Sequence, residues 1–142
     1  MPSPATHPPS PESRCPCGTG EVYGSCCGPL HSGAREAPTA EALMRSRFCA
    51  FAVHDAAYLL RTWHPSTRPE ELELDGTILW QRLEILGTQG GPFDDAARVR
   101  FAAHYRSRPG IPPEERVRGV QREDSRFLRE DGRWLYVDGV VG

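Results

Sequence analysis

Lysine is missing from this chain. All 17 basic residues are arginine, set against 19 acids for a formal charge of −2. Coding in a GC-rich genome accounts for such a bias, and its physical consequence is a preference for planar, two-point contacts over compact point charges. The near-neutral total argues against a general nucleic-acid binder, which needs a cationic surface. Long apolar runs are also missing. With a mean hydropathy of −0.53 and no stretch near 18 apolar residues, no membrane span is expected. No cationic start followed by an apolar core is present, so a cytoplasmic protein is expected. No internal repeat stands out.

What is present fits one domain with a proper core and a small appendage, at 142 residues and 38% apolar content. Residues 1–13 are rich in Pro and Ser and predict a disordered tail. Residues 14–33 hold four of the five cysteines, and residues 34–142 carry the main domain. Thr39 is placed to cap a helix that has Glu41 in its first turn. Met44, Phe48, Phe51 and Ala52 form its buried stripe. Asp55 predicts the cap of a second helix, which runs through Tyr58, Leu59, Thr62 and Trp63 until Pro65 stops it.

Strand texture comes next. Leu83-Glu84-Ile85 alternates, and from Arg98 to Arg106 one face carries Val99, Phe101, Ala103 and Tyr105. Two further strands, near 119–129 and 133–138, flank Asp131-Gly132, the strongest turn signal in the chain. Helices first and an antiparallel meander afterwards predict an α+β fold with helices covering one sheet face. Charge is unevenly distributed: acids outnumber Arg seven to two over 68–95, whereas Arg leads ten to six over 98–133.

The chemistry concentrates at Cys15-x-Cys17, eight residues, then Cys26-Cys27. Disulfides between such close pairs would be strained, and a redox dithiol more naturally uses a two-residue spacer. Four thiolates around one ion fit better, with the close pairs as chelating arms and Gly18, Gly20, Gly24 and Gly28 allowing tight turns. Zn²⁺ is the expected metal, and iron is the alternative that soft thiolates also accept. A four-sulfur site leaves no open position and is therefore structural. His31 stands four residues beyond Cys27, as a group behind the ligands or as a replacement for one sulfur. Cys49 falls inside the first helix and reads as a small core side chain.

The run Cys15-Pro-Cys-Gly-Thr-Gly with Tyr23 and Cys26-Cys27-Gly resembles the SEC-C metal-binding motif, which also ends the protein-translocation motor SecA. Extended by Leu30-His31-x-Gly33, Ala42-Leu43-Met44-Arg45-Ser46-Arg47-Phe48, Thr62-Trp63-His64-Pro65, Ser125-Arg126-Phe127 and Gly132-Arg133-Trp134-x-Tyr136-Val137-Asp138-Gly139, the chain resembles the YchJ family of small bacterial proteins. That resemblance implies a nuclear transport factor 2-like domain, in which a curved sheet wraps helices into a cone with a pocket. It also implies metal binding at Cys15, Cys17, Cys26 and Cys27, and no assigned reaction. Two departures are visible. Lysines common beside the motif's tyrosine are replaced by Glu21, Val22 and Gly24, and Arg122 stands where the family commonly has histidine before Glu123.

No catalytic residue is assigned. His54, Asp55, Trp63, His104, Tyr105 and Glu123 are the groups an isomerase or dehydratase could use in a pocket, given a base and a nearby donor. Plainer readings exist for each: Asp55 as a cap, Trp63 and Tyr105 as core or pocket wall, His104 as solvated. Glu123 and Arg126 are expected to pair with each other, or with Arg45 or Arg47. The pair Arg45 and Arg47, on a half-buried helix, implies internal ion pairs or an anion-binding surface. The leading expectation is a metal-stabilised, non-catalytic module with a protein partner. A small molecule in the cone pocket and, by the SecA analogy, RNA are the alternatives. Metal loss is expected to unfold 14–33 and leave the larger domain standing.

Overall fold

The computed structural model describes residues 9–91 and 93–142. Most of the expected tail therefore lies outside the described residues. Its last part is tied to the cysteine-bearing segment: the Tyr23 amide donates to Ser13 O at 2.7 Å and the Gly24 amide to Pro11 O at 2.9 Å.

Among the described residues three α-helices precede four strands: α1 (Cys27–Ser32), α2 (Ala40–Ala52), α3 (Ala56–Arg61), β1 (Ile78–Gln89), β2 (Ala96–Ser107), β3 (Arg118–Glu130) and β4 (Arg133–Val141). The helices start where the capping side chains predict. Thr39 Oγ1 accepts from the Ala42 amide at 3.0 Å, and Asp55 Oδ1 accepts from the Tyr58 amide at 3.0 Å. The strands form one antiparallel sheet in the order β1-β2-β3-β4. Asp131 (φ 53°) and Gly132 (φ 76°) are both left-handed, as a two-residue hairpin matched to strand twist requires.

Helix α2 lies across the sheet. Leu43, Met44 and Phe48 pack with Val99, Phe101, Ala103 and Phe127 in one core, which Leu30 of α1 also joins. The predicted alternation of β2 holds, with Val99, Phe101 and Ala103 buried on the core side. β1 is longer than its sequence texture suggests. Irregularities between Trp80 and Arg82 and between Ile85 and Gly87 break its period-two pattern, yet Trp80, Leu83 and Ile85 all reach the core. More of α2 is buried than one stripe. Ser46, Arg47, Cys49 and Ala50 are hidden as well, because α3 covers Ser46 and Arg47, the core takes Ala50, and a second body packs on the flank that holds Cys49. Removing either helix cap, by Thr39→Ala or Asp55→Ala, should cost about 1 kcal/mol of stability, read as a lower urea midpoint with unchanged slope.

Candidate metal centre and the cavity beside it

The second body is built from residues 10–32. Arg14 and Val22 pair as an antiparallel bridge, and the Cys15 amide donates to Glu21 O at 2.8 Å. Gly18 (φ 86°) and Gly20 (φ 92°) turn the chain between them. A 3₁₀ turn over Tyr23–Ser25 then delivers Cys26 and Cys27 to the same point. A side chain at position 28 would meet Tyr23 O at 2.8 Å, so only glycine can follow Cys27 there.

This folding brings the sulfurs of Cys15, Cys17, Cys26 and Cys27 within 4.8 Å of one another, a grouping that could hold a metal ion. Four sulfurs at 2.3 Å around a tetrahedral ion stand about 3.8 Å apart, so only a slight contraction is needed. Cys15, Cys17 and Cys27 are buried, while Cys26 is partly exposed and has the Thr19 hydroxyl 3.2 Å from its sulfur. The crowding shapes thiol acidity. Hydrogen bonds from Cys17, Cys27 and Cys49 push the Cys15 thiol down, whereas its bond to Cys15 raises Cys17 to about 11. Cys27 and Cys49 are also pushed up, first by their bonds to Cys15. One thiolate forms readily, and further ones need a cation to share their charge.

Cys49 is more than core filling. Its sulfur, on α2, lies 4.0 Å from that of Cys15, and with Val53 it packs into the cysteine cluster. His31 stands apart from the clustered ligand atoms. Its Nδ1 accepts from the Tyr23 hydroxyl at 2.7 Å and its Nε2–H donates to Ser46 O at 2.9 Å, so the ring is a peg between α1 and the middle of α2. Arg45 is a second fastening: it pairs with Glu41 at 3.1 Å and donates to Cys17 O at 3.1 Å.

Burial lowers the pKa of His31, the neutral ring being the form its partners use. The unfolded chain then binds the extra proton, so this contribution to stability is present above the ordinary histidine value near 6.5 and is lost as pH falls below it. The stability gap between wild type and His31→Gln should therefore narrow from pH 7.5 to pH 5.5, measured by urea unfolding at each pH.

On the opposite flank of α2 lies a cavity of about 170 Å³ between helix and sheet. Arg47 borders it, 3% exposed, with Nη1 donating to Leu59 O at 2.8 Å and to Thr62 Oγ1 at 2.7 Å. Its guanidinium stacks over the rings of Tyr136 (4.4 Å) and Trp63 (5.1 Å), and burial lowers its pKa to about 10. The Tyr136 hydroxyl donates to Glu123 Oε1 at 3.0 Å; burial, then Glu123, raises the phenol's pKa and keeps it a donor. Glu123 Oε2 accepts from Gln121 at 3.4 Å, and the carboxylate occupies the space that a side chain at Gly139 would need.

The expected pocket group is thus divided. Arg47, Trp63 and Glu123 meet at the cavity, whereas Arg45 serves the cysteine-bearing segment. His104 pairs with Glu84 at 2.5 Å on the sheet face turned from the core. Tyr105 borders a neighbouring depression beside Trp80 and His54, its ring 5.4 Å from that of Trp80. The expected pairing of Glu123 with Arg126, Arg45 or Arg47 is not found, because Arg126 points to the other sheet face and grips Asp138 at 2.6 Å. Tyr136 and Ser125 also line the cavity. Ser125 could have been found from alternation, since it lies two residues from both Glu123 and Phe127 on the inner face of β3.

The fold and this site define an α+β domain of the nuclear transport factor 2-like type, preceded by a four-cysteine cluster. Residues 39–139 match the family described as YchJ, middle NTF2-like domain. The UPF0225 protein of Corynebacterium efficiens is 56% identical over 129 residues, covering 90% of this chain and 93% of its own. The UPF0225 protein of Deinococcus radiodurans is 44% identical, with 92% and 91% covered. In structure, the chain resembles a SEC-C motif containing protein from Rhodopseudomonas palustris (TM-score 0.75, 32% identity, 91% of this chain and 98% of that one). A similar protein from Psychrobacter arcticus, at 23% identity and TM-score 0.67, shows the same fold over 93% and 84% of the two chains. The chain belongs to the YchJ family, also called UPF0225. No helix among the described residues is long and apolar enough to cross a membrane.

Proposed function

We propose that the chain is a non-catalytic binding protein whose cysteine cluster carries one structural Zn²⁺. The carrying observation is the closed set of four sulfurs within 4.8 Å of one another. Four thiolates fill a tetrahedral shell and leave no position for a substrate, and zinc needs no redox partner to remain there. Among the described residues of the cavity no base is left without a partner, which supports the non-catalytic reading. His104 faces away from the cavity, and both Glu123 oxygens already accept hydrogen bonds. A protein partner is supported by apolar side chains left in solvent, namely Phe93 (93% exposed), Val140 (71%) and Val141 (68%). The residues beside Tyr23 lack the cations that RNA binding requires, and this disfavours a ribosomal role.

The packing changes the expected result of metal loss. Cys49 of α2 and Val53 at its C-terminal cap belong to the cysteine cluster, and Leu30 of α1 belongs to the domain core. Chelation should therefore loosen α2 and the sheet together. Purified protein should hold one zinc per chain by elemental analysis, and Cys17→Ser should release it. Cobalt exchange should give the absorption of a tetrahedral thiolate site. Chelation should lower the thermal midpoint of the whole fold by more than about 10 °C, the shift expected for a loss of several kcal/mol. A redox-active iron site, or full metal retention in Cys17→Ser, overturns the assignment. Co-purification from the native host with identification of the bound protein, with and without the cysteines, tests the partner.

A further inference from the structure

The cavity between α2 and the sheet holds more hydrogen-bond donors than acceptors. The Arg47 side chain is buried, and Nη1 is spent on a carbonyl and a hydroxyl, both neutral. Among the described residues no carboxylate lies within ion-pair distance of it. Burial lowers its pKa only to about 10, so the guanidinium stays charged at neutral pH. Trp63 Nε1 and Ser125 Oγ are buried without a hydrogen-bond partner, and Ser125 is fully enclosed. Both residues line the cavity. The carboxylate on its wall, Glu123, is occupied by Tyr136 and Gln121.

Buried donors without acceptors, next to a cation that no carboxylate contacts directly, are costly to maintain in a folded chain. Sites that retain such groups are often built for a ligand that completes them. The remaining walls are aromatic or aliphatic, with Phe48, Phe51, Trp80, Phe101 and Ala103. The volume of about 170 Å³ would hold roughly five or six waters at ~30 Å³ each, or one compact organic molecule. A fitting ligand must bring acceptor oxygens and negative charge at one end and apolar surface at the other. The Glu123 carboxylate on the same wall sets an upper limit of one negative charge.

We infer that this cavity is a binding site for a small organic monocarboxylate, its carboxylate received by Arg47, Ser125 and Trp63 and its apolar body held between the aromatic walls. The site uses none of the cysteine sulfurs, but it shares α2 with the cysteine cluster, so it is tested on metal-loaded protein.

Butyrate and benzoate are suitable probes, each compared with its neutral alcohol, butanol or benzyl alcohol, on metal-loaded full-length protein. Trp63 and Trp80 line the cavity and supply the readout, as tryptophan fluorescence and as shifted indole N–H resonances. At least one carboxylate should bind saturably and at least about tenfold more tightly than its alcohol, the margin expected for a buried charge-assisted contact. Ala103→Leu, which fills the cavity with apolar volume, should abolish binding. Ser125→Ala should weaken it several-fold, and Arg47→Lys should weaken the carboxylate while leaving the alcohol unchanged. No saturable binding by either carboxylate, equal affinity for acid and alcohol, or unchanged affinity in Ala103→Leu would each overturn the inference. The acid-to-alcohol comparison needs only the wild-type chain, so it decides the question even if the Arg47 variant does not fold.

Discussion

Helix α2 is packed on both flanks, and the polar groups of its middle turn can be satisfied only by the elements that cover it. On one flank Cys49 and Val53 meet the cysteine cluster; on the other Leu43, Met44 and Phe48 meet the sheet. Between these flanks sit Ser46 and Arg47, both hidden from water. Ser46 Oγ donates to Leu43 O at 2.8 Å and shares a 2.7 Å bond with the Tyr58 hydroxyl, while its carbonyl accepts from His31. Arg47 reaches the carboxyl end of α3. Removing a partner group while the helix stays enclosed would leave a buried polar group alone, at a cost of about 1–3 kcal/mol each. The order of the whole chain therefore depends on this helix staying covered from both sides.

This arrangement also accounts for what could be read from the residues alone. Caps, hairpin turn and the β2 alternation are local, with a sequence period or a single side chain behind each, and Thr39, Asp55, Asp131 and Gly132 all behave as their chemistry predicts. The first half of β1 was hidden because its irregularities shift the inward positions from Trp80 to Leu83. The extent of α2 burial was hidden too. A helix with two covered flanks has no single apolar stripe, and which of its arginines is enclosed is set by the layers that pack on it.

The cysteine cluster was legible for a similar reason. Four ligands at short spacing with glycines between them constrain the chain locally, so their convergence results from proximity. Cys49 was not legible, being separated from Cys15 by 34 positions in sequence and 4.0 Å in space. The cavity lies between these cases. Arg47, Trp63 and Glu123 could be singled out as unusual and Ser125 follows from alternation, but Tyr136 joins them only once the register of β3 and β4 sets which side chains share the inner face. His104 stands outside the group because it lies on the outer face of β2, as the alternation from Val99 to Tyr105 implies.

Gly139 is the position where this register leaves a trace in inheritance. Its missing side chain is the space that the Glu123 carboxylate fills, across the β3–β4 ladder. The two positions are thus a single unit of variation. A lineage that gains any larger residue at 139 must move or shorten the acid at 123, and one that keeps the acid in this position keeps the glycine. Among relatives the pair should change together, so a substitution at a residue with no polar side chain of its own marks where the cavity's chemistry has diverged.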